Sequence, residues 1–397
     1  MHEGRGELPR MELLRGTALS RDELARYSRH LILPEVGLVG QRALKAASIL
    51  LVGAGGLGSP LGLYLAAAGI GRIGLIDDDV VDVSNLQRQV IHGSAAVGEP
   101  KVESAARRIA DLNPHVEVTR HGGRFDASIG LELVSGYDVV IDGTDNFPTR
   151  FLVNDACVMV GKPNVYGSVY RFEGQASVFD ARRGPCYRCL FPQPPPPGAV
   201  PSCAEGGVLG VLPGLIGLIQ ATEAIKIITG LGETLIGRLL LYDALAMRFS
   251  TLAIAKDPSC PVCGDVPTIT SLKEEHATCD IGPATGALGN GGASTIQPRE
   301  LREMLDRKES LALLDVREPY EREIVALANT HEIPLGELGT RLHELPEDRD
   351  IVVYCRSGVR SAQAVTALRK AGFVRARNLE RGVLGWIDDV EPSLARY

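Results

Sequence analysis

The sequence predicts a two-part α/β protein, a mostly parallel sheet domain with an added antiparallel region linked to a smaller α/β domain. Three observations carry this. Apolar, β-rich runs alternate with helical stretches through the first half, and such alternation implies parallel strands joined by right-handed crossovers. At 397 residues the chain exceeds one typical domain. Past residue 255 the periodicity fades into a segment ending GPATGALGNGGAS, and a second α/β pattern starts near 295. The resulting boundaries are 20–265, a flexible linker over 266–294, and 295–397.

In order, ASILLVG (47–53) reads as a strand, 59–68 as a helix and RIGLID (72–77) as a second strand. Helical spacing returns at 101–113, VEVTR (116–120) and DVVID (138–142) are strands, and a helix starts near 149. VYGSVYRF and GQASVF, within 164–180, read as antiparallel strands. The proline-rich FPQPPPPGAVPSCAEGG (191–207) suits an extended crossing loop. Beyond the linker, 298–308 is a helix, LALLDV (311–316) and DIVVYC (350–355) are strands, and 361–371 is a helix.

Hydrophobic residues at 45% and charged residues at 23% exclude general disorder, and a net charge of −7 disfavours a nucleic-acid partner. Two uncharged stretches, 46–71 and 206–222, are broken by Pro60 and Pro213 and read as core elements, not membrane spans. With no secretory signal visible, a cytoplasmic protein is expected. There, paired cysteines read as metal ligands and single ones as nucleophiles or small core residues.

Gly53-Ala54-Gly55-Gly56-Leu57-Gly58 fits GxGxxG between a strand and a helix, and Asp77 ends the next strand. This Rossmann-like arrangement lets Gly55 and Gly56 admit phosphates while the carboxylate takes ribose hydroxyls. NAD-dependent oxidoreduction is the first rival. Against it stand Arg88 in SNLQRQ, Lys101 opening a helix, and Asp145 in DGTDN at the sheet's carboxyl edge. Two cations balance a triphosphate and Asp145 suits Mg²⁺, which together favour ATP chemistry.

The order RYSRH, GAGGLGS, LIDDD, SNLQRQ, DGTDN, CYRC and CPVC resembles the ubiquitin-activating-enzyme-like adenylyltransferases of MoeB and ThiF type, over about 20–265. The resemblance implies adenylation of the C-terminal glycine of a small β-grasp sulfur-carrier protein ending in Gly-Gly (MoaD/ThiS-like). It implies ATP contact by Gly56, Asp77, Ser84, Asn85, Leu86, Gln87, Arg88 and Lys101, with Asp145 and Asn146 on nucleotide or metal. Arg29 is implied to reach the neighbouring subunit's site in a homodimer.

Cys186, Cys189, Cys260 and Cys263 form two CxxC pairs, the spacing of a closed, structural tetrahedral Zn²⁺ site. A redox dithiol usually follows a strand and opens a helix, a setting neither pair is expected to have. Cys203, in the crossing loop, is a candidate for a covalent link to the carrier, or is incidental. Cys157 reads as core packing, and Cys279 in the linker has no visible role.

Cys355 ends a strand and begins CRSGVRS, whose amides and Arg356 and Arg360 form an anion cradle for a thiolate. The phosphatase spacing would need arginine where Ser361 stands. LLDVREPYE (313–321) and RGVLGW (381–386) resemble the rhodanese sulfurtransferases over about 295–395, which implies a persulfide on Cys355 held by the 356–361 loop amides. Asp315 and Arg317 read as framework. The reading requires a thiol that solvent can reach.

The fused pattern resembles the MoeZ-type adenylyltransferase/sulfurtransferases, whose expected chemistry is a carrier C-terminal thiocarboxylate. That chemistry serves molybdenum cofactor or related biosynthesis, with sulfur from a persulfide donor such as a cysteine desulfurase. A linker of about 30 residues has a reach of roughly 30 Å, enough to swing a small domain. An NAD-dependent oxidoreductase with an accessory domain, and a non-catalytic carrier adaptor, remain alternatives.

Overall fold

The computed structural model describes residues 17–195, 206–274 and 295–397. The chain forms two compact units, Met1–Gly282 and Pro283–Tyr397.

In the first unit three helices, α1 (Arg21–Arg26), α2 (Ser28–Leu31) and α3 (Gly37–Ala46), precede an eight-stranded sheet. Its strands are β1 (Ser48–Val52), β2 (Arg72–Asp77), β3 (Glu117–Gly122), β4 (Val139–Asp142), β5 (Asn164–Tyr170), β6 (Glu173–Phe179), β7 (Arg238–Asp243) and β8 (Arg248–Ala253). Their order is β3-β2-β1-β4-β5-β6-β7-β8, parallel through β5 and antiparallel from β5 to β8. The crossovers are helical: α4 (Gly58–Ala68), α5 (Lys101–Leu112), α6 (Gly130–Ser135) and α7 (Phe147–Val160). A single turn, α8 (Tyr187–Leu190), follows β6, and α9 (Val211–Thr229) precedes β7.

β1 and β4 are buried along their whole length, as near-continuous apolar runs covered on both faces should be. Among the described residues α9 alone is long and apolar enough to cross a membrane. Here Leu212, Ile216, Ala221 and Ala224 join the main core, and Gln220 Nε2 donates to the main-chain oxygens of Asp142 (2.8 Å) and Val165 (3.0 Å). Register sets the carboxyl edge: Val52 pairs with Ile76 and with Asp142, so the residues after β1, β2 and β4 emerge side by side. The strand order reverses between β1 and β4, where ligands bind in open α/β sheets.

The first residues of the expected linker pack on the first unit. Leu272 packs beside Phe125 and Val134, and the Ala127 N–H donates to Glu274 Oε1 at 2.9 Å, so 266–274 lie on the first unit. Residues 275–294, the rest of that expected linker, fall outside the described residues.

The second unit is a five-stranded parallel sheet ordered β11-β10-β12-β13-β9. It contains β9 (Thr295–Ile296), α10 (Pro298–Asp306), β10 (Leu311–Asp315), α11 (Pro319–Arg322), β11 (Thr330–Glu332), β12 (Asp350–Tyr354), α12 (Val359–Lys370), β13 (Ala376–Leu379) and α13 (Gly382–Asp389). Central β12 is buried from Ile351 to Tyr354, and the chain turns at Cys355 into α12.

Candidate functional site

The glycine turn follows β1 directly. Gly53 has φ +98°, open to glycine, and a Cβ at Gly58 would sit 2.1 Å from the Gly53 main-chain oxygen, so no larger side chain fits the start of α4. A Cβ on Gly53 would lie 2.9 Å from the Gly143 oxygen, placing the DGTDN loop against the turn.

From here a chain of contacts gathers residues distant in sequence. Ala54 N–H donates to Asp77 Oδ2 at 2.7 Å, Asp79 N–H to Asp77 Oδ1 at 2.9 Å, and Lys101 Nζ to Asp79 Oδ2 at 2.7 Å. Each Asp77 oxygen keeps a second acceptor site for a ligand hydroxyl. Burial pushes the Asp77 carboxyl up from its ordinary value, against the pull of Lys101. The Lys101 side chain is almost wholly buried, its ammonium tied to an exposed carboxylate.

On the other flank, space above Gly56 is bounded by Pro213 and by Arg88. Asp82 caps the turn Val83–Asn85 by accepting from Ser84 N–H at 2.8 Å. Arg88 Nη2 donates to Asn85 Oδ1 at 2.9 Å and Nη1 to the Ser84 oxygen at 3.3 Å. Leu86 is half-buried between them and Gln87 is exposed. A Cβ at Gly210 would lie 2.5 Å from the Gln87 oxygen, so the chain leaving the crossing loop lands on this flank. Cys203 and Cys279 lie outside the described residues.

Asp145 is exposed two residues past Gly143. The Asn146 side chain caps α7, Oδ1 accepting from Thr149 N–H at 3.0 Å, and this oxygen keeps a second acceptor site. Arg29 is exposed on α2, with Ile32 and Val39 each 68% exposed on the following segment.

Two residues that sequence reasoning missed, His92 and Arg150, support the turn. His92 Nε2 lies 2.9 Å from the Ala54 oxygen and Nδ1 lies 3.0 Å from Ser104 Oγ, the tautomer with Nε2–H satisfying both. Asp142, wholly buried, accepts from Thr144 N–H (2.9 Å) and Oγ1 (2.6 Å), with Arg150 Nε 3.7 Å from its other oxygen. Burial raises the Asp142 carboxyl, and Arg150 opposes the rise. A histidine in QVIH and an arginine in a helix carry no spacing signal that would have singled them out.

The four paired cysteines converge. Sγ separations are 3.6 Å (Cys186–Cys260), 4.0 Å (Cys186–Cys189) and 3.4 Å (Cys189–Cys263), and all four lie within 4.8 Å of one another. Zinc–sulfur bonds of about 2.3 Å in a tetrahedron put sulfurs about 3.8 Å apart, so the cluster fits Zn²⁺ and its spacings are far beyond a disulfide. Hydrogen bonding among the sulfurs pushes the Cys186 thiol up and the Cys189 thiol down from their ordinary range. One expectation is corrected: Cys186 does precede a helical turn, α8, because Tyr187 N–H is taken by Asn154 Oδ1 at 2.7 Å. The four-sulfur geometry fits a metal site. Cys157 is buried in the apolar core beneath α7, and burial pushes its thiol well up.

In the second unit Cys355 Sγ accepts from Gly358 N–H at 3.1 Å and from Ser361 Oγ at 3.3 Å. Gly358 turns the loop with φ +96° before α12. Val383 N–H donates to the Cys355 oxygen at 2.8 Å and Leu384 N–H to the Arg356 oxygen at 3.1 Å, so the first turn of α13 fixes the loop's peptide planes. Three expectations change here. Among the described contacts one loop amide, not a row of them, reaches the sulfur. The flanking arginines are committed elsewhere, Arg360 forked onto Glu321 (2.6 and 2.7 Å) and Arg356 onto the Tyr397 main-chain oxygen. Cys355 is 1% exposed, because loop and α12 close around it. A persulfide sets its outer sulfur about 2 Å beyond Sγ. Asp315 and Arg317 form a wholly buried ion pair (2.6 Å), a framework that ties β10 to the chain beyond it.

The ThiF family matches residues 27–262 and the rhodanese-like domain matches residues 297–389. The probable adenylyltransferase/sulfurtransferase MoeZ of Mycobacterium tuberculosis is 53% identical over 96% of this chain and 97% of its own. Adenylyltransferase and sulfurtransferase MOCS3 of Mus musculus is 41% identical over 96% and 88%. The sulfur carrier protein adenylyltransferase of Thermus thermophilus is 52% identical over 66% of this chain and 98% of its own. The crystal structure of E. coli MccB with MccA-N7isoASN shares the fold, with a TM-score of 0.55 and 23% identity over 63% of this chain and 76% of that one. With the nucleotide edge in one unit and the cysteine loop in the other, the chain belongs to the ThiF family with a C-terminal rhodanese-like domain, an adenylyltransferase and sulfurtransferase in one polypeptide.

Proposed function

We propose that the first unit adenylates the C-terminal glycine of a small β-grasp carrier and that Cys355 of the second supplies sulfur, giving a C-terminal thiocarboxylate for molybdenum cofactor or related biosynthesis. The observation that carries the reading is the run of contacts from Gly143 through the glycine turn, Asp77 and Asp79 to Lys101, with Arg88 over Gly56. ATP lies along that edge, its phosphates over Gly55 and Gly56, its ribose on Asp77, and its charge met by Lys101 and Arg88. Asp145 would hold Mg²⁺, which would balance phosphate charge. Cys186, Cys189, Cys260 and Cys263 would hold Zn²⁺ and so tie α8 to the chain after β8.

The carrier carboxylate attacks the α-phosphorus and pyrophosphate leaves, so an inert carboxylate becomes a mixed anhydride. The protein's share is position and charge. The outer sulfur of the Cys355 persulfide, loaded by a donor such as a cysteine desulfurase, then attacks the acyl carbon and AMP departs. A small external thiol attacks Cys355 Sγ; the thiocarboxylate leaves, and the disulfide formed is reduced by a second equivalent of that thiol. Segments 20–265 and 295–397 act as the two catalytic units. A homodimer in which Arg29 enters the partner's site is supported by the exposed Ile32, Leu33, Leu38 and Val39 near it, and by an open groove of about 360 Å³ lined by His30, Tyr64, Leu218 and Ile225. Cysteines free of disulfides among the described residues support a reducing, cytoplasmic setting.

The test is ATP–pyrophosphate exchange with candidate carriers ending in Gly-Gly, followed by intact mass after adding a sulfur source. Carrier-dependent exchange and a mass gain of one oxygen-to-sulfur replacement are expected. Nicotinamide binding without exchange overturns the reading.

A further inference from the structure

Within the glycine turn, Ala54 is held on both sides by residues from elsewhere in the chain. Its N–H donates to Asp77 Oδ2 at 2.7 Å, and its carbonyl oxygen lies 2.9 Å from His92 Nε2. A carbonyl oxygen only accepts, so Nε2 carries the proton. The neutral ring then accepts at Nδ1 from Ser104 Oγ, 3.0 Å away, which fixes the tautomer. His92 is 7% and Ala54 3% exposed, so these bonds are shielded from solvent. Ser104 stands one turn beyond Lys101 on α5. The turn that delivers His92 closes with its N–H on the Gln89 oxygen at 3.0 Å, and a Cβ on Gly55 would lie 3.5 Å from the Gln89 amide nitrogen. Residues 89–92 thus pack along the glycine turn.

In a trans peptide the C=O and the following N–H share one plane and point to opposite sides. The oxygen that His92 holds therefore sets the direction of the Gly55 N–H. Turning that peptide over changes ψ of Ala54 and φ of Gly55, and glycine takes either sign of φ. The sterics of Gly55 do not resist such a flip, so the restraint comes from outside the turn. We propose that His92 is a positioning residue of the nucleotide edge: by holding the Ala54 oxygen it aims the Gly55 N–H at phosphate, and Ser104 keeps the imidazole in the tautomer that does so. The proposal rests on the reading of this edge as an ATP site, and it assigns His92 to phosphate recognition where Asp77 serves the ribose.

The experiment titrates the full-length chain with MgATP by calorimetry and repeats the titration with adenosine as competitor. Adenosine shares the base and ribose but has no phosphate, so the ratio of the two affinities reports the phosphate cradle and cancels a loosened fold. His92→Leu should weaken MgATP about fivefold or more, the loss of one hydrogen bond, and leave adenosine within about twofold. His92→Gln restores an N–H donor in the place of Nε2 and should keep both affinities within about twofold of the unaltered chain. Ser104→Ala should weaken MgATP in the same selective way, and added to His92→Leu it should cost nothing further. If His92→Leu does not fold, judged by circular dichroism, Ser104→Ala decides, because it removes a single hydroxyl. Unmoved MgATP affinity, MgATP and adenosine weakening in step, or additive losses for the two substitutions each overturn the proposal while the ATP reading stands. An unaltered chain that binds no MgATP overturns that reading, and the proposal with it.

Discussion

Replacing Asp155 by alanine should cost the first unit about 3–5 kcal/mol, the penalty of removing the carboxylate from a buried ion pair. Asp155 is 4% and Arg188 2% exposed, and the pair is joined through Arg188 Nε (2.8 and 3.1 Å) and Nη2 (2.7 Å). After the change the guanidinium keeps the Pro192 oxygen at 3.2 Å and the Phe151 ring among its contacts, and the carboxylate that held it through two nitrogens is gone. Asn154 also loses the acceptor for its amide N–H. For a unit of this size each kcal/mol shifts the midpoint by about 2 °C, so Tm should fall by roughly 6–10 °C. The consequence reaches the metal, because Arg188 stands between Cys186 and Cys189. Zinc release to a chromophoric chelator, followed against temperature in the full chain, should accelerate in parallel. The double variant Asp155→Leu, Arg188→Met should recover most of the loss, since apolar side chains of similar volume owe no desolvation. A fall below about 2 °C for Asp155→Ala, or a double variant worse than the single one, would refute the reasoning.

Three further outcomes are expected. Cys355→Ser should abolish thiocarboxylate formation with ATP–pyrophosphate exchange intact, and Asp145→Ala should lose exchange by about 100-fold while sulfur release to cyanide persists; equal loss of both steps in either variant refutes the division of labour. Gly58→Ala should yield little folded first unit, read as loss of bound zinc, because its Cβ would stand 2.1 Å from the Gly53 oxygen; a normally folded, zinc-loaded variant counts against the turn geometry. Burial holds His92 below its ordinary 6.5 against the pull of the Ala54 oxygen. The unfolded chain therefore binds the proton first, and this contribution to stability, complete above pH 6.5, is lost as pH falls toward the folded-state value. Denaturation midpoints between about pH 7 and about pH 5.5 should decline more steeply for the unaltered protein than for His92→Gln. Parallel declines refute that assignment.

The sequence determined by itself whatever follows from local order. Apolar strand runs, GxGxxG between strand and helix, two CxxC pairs and a cysteine at a strand–helix turn each carry their chemistry in adjacent residues. The element limits followed to within a few residues, and α7 began at Phe147, ahead of its expected start near 149, because Asn146 caps it and Pro148 fits its first turn. The strand order and register were decided only in the folded chain, and with them the meeting of Gly53 with Gly143 and of Asp79 with Lys101. The same holds for side chains paired across long separations. His92 on Ala54, Arg188 on Asp155 and Tyr397 on Arg356 have no mutual spacing to betray them. Burial, too, belongs to the tertiary structure. A loop motif announces a reactive thiol, but whether Cys355 lies open or enclosed depends on α12 and α13 closing over it from separate parts of the chain. Short-range chemistry is written in consecutive residues, whereas partners, exposure and charge compensation arise from packing that only the assembled sheets and helices impose.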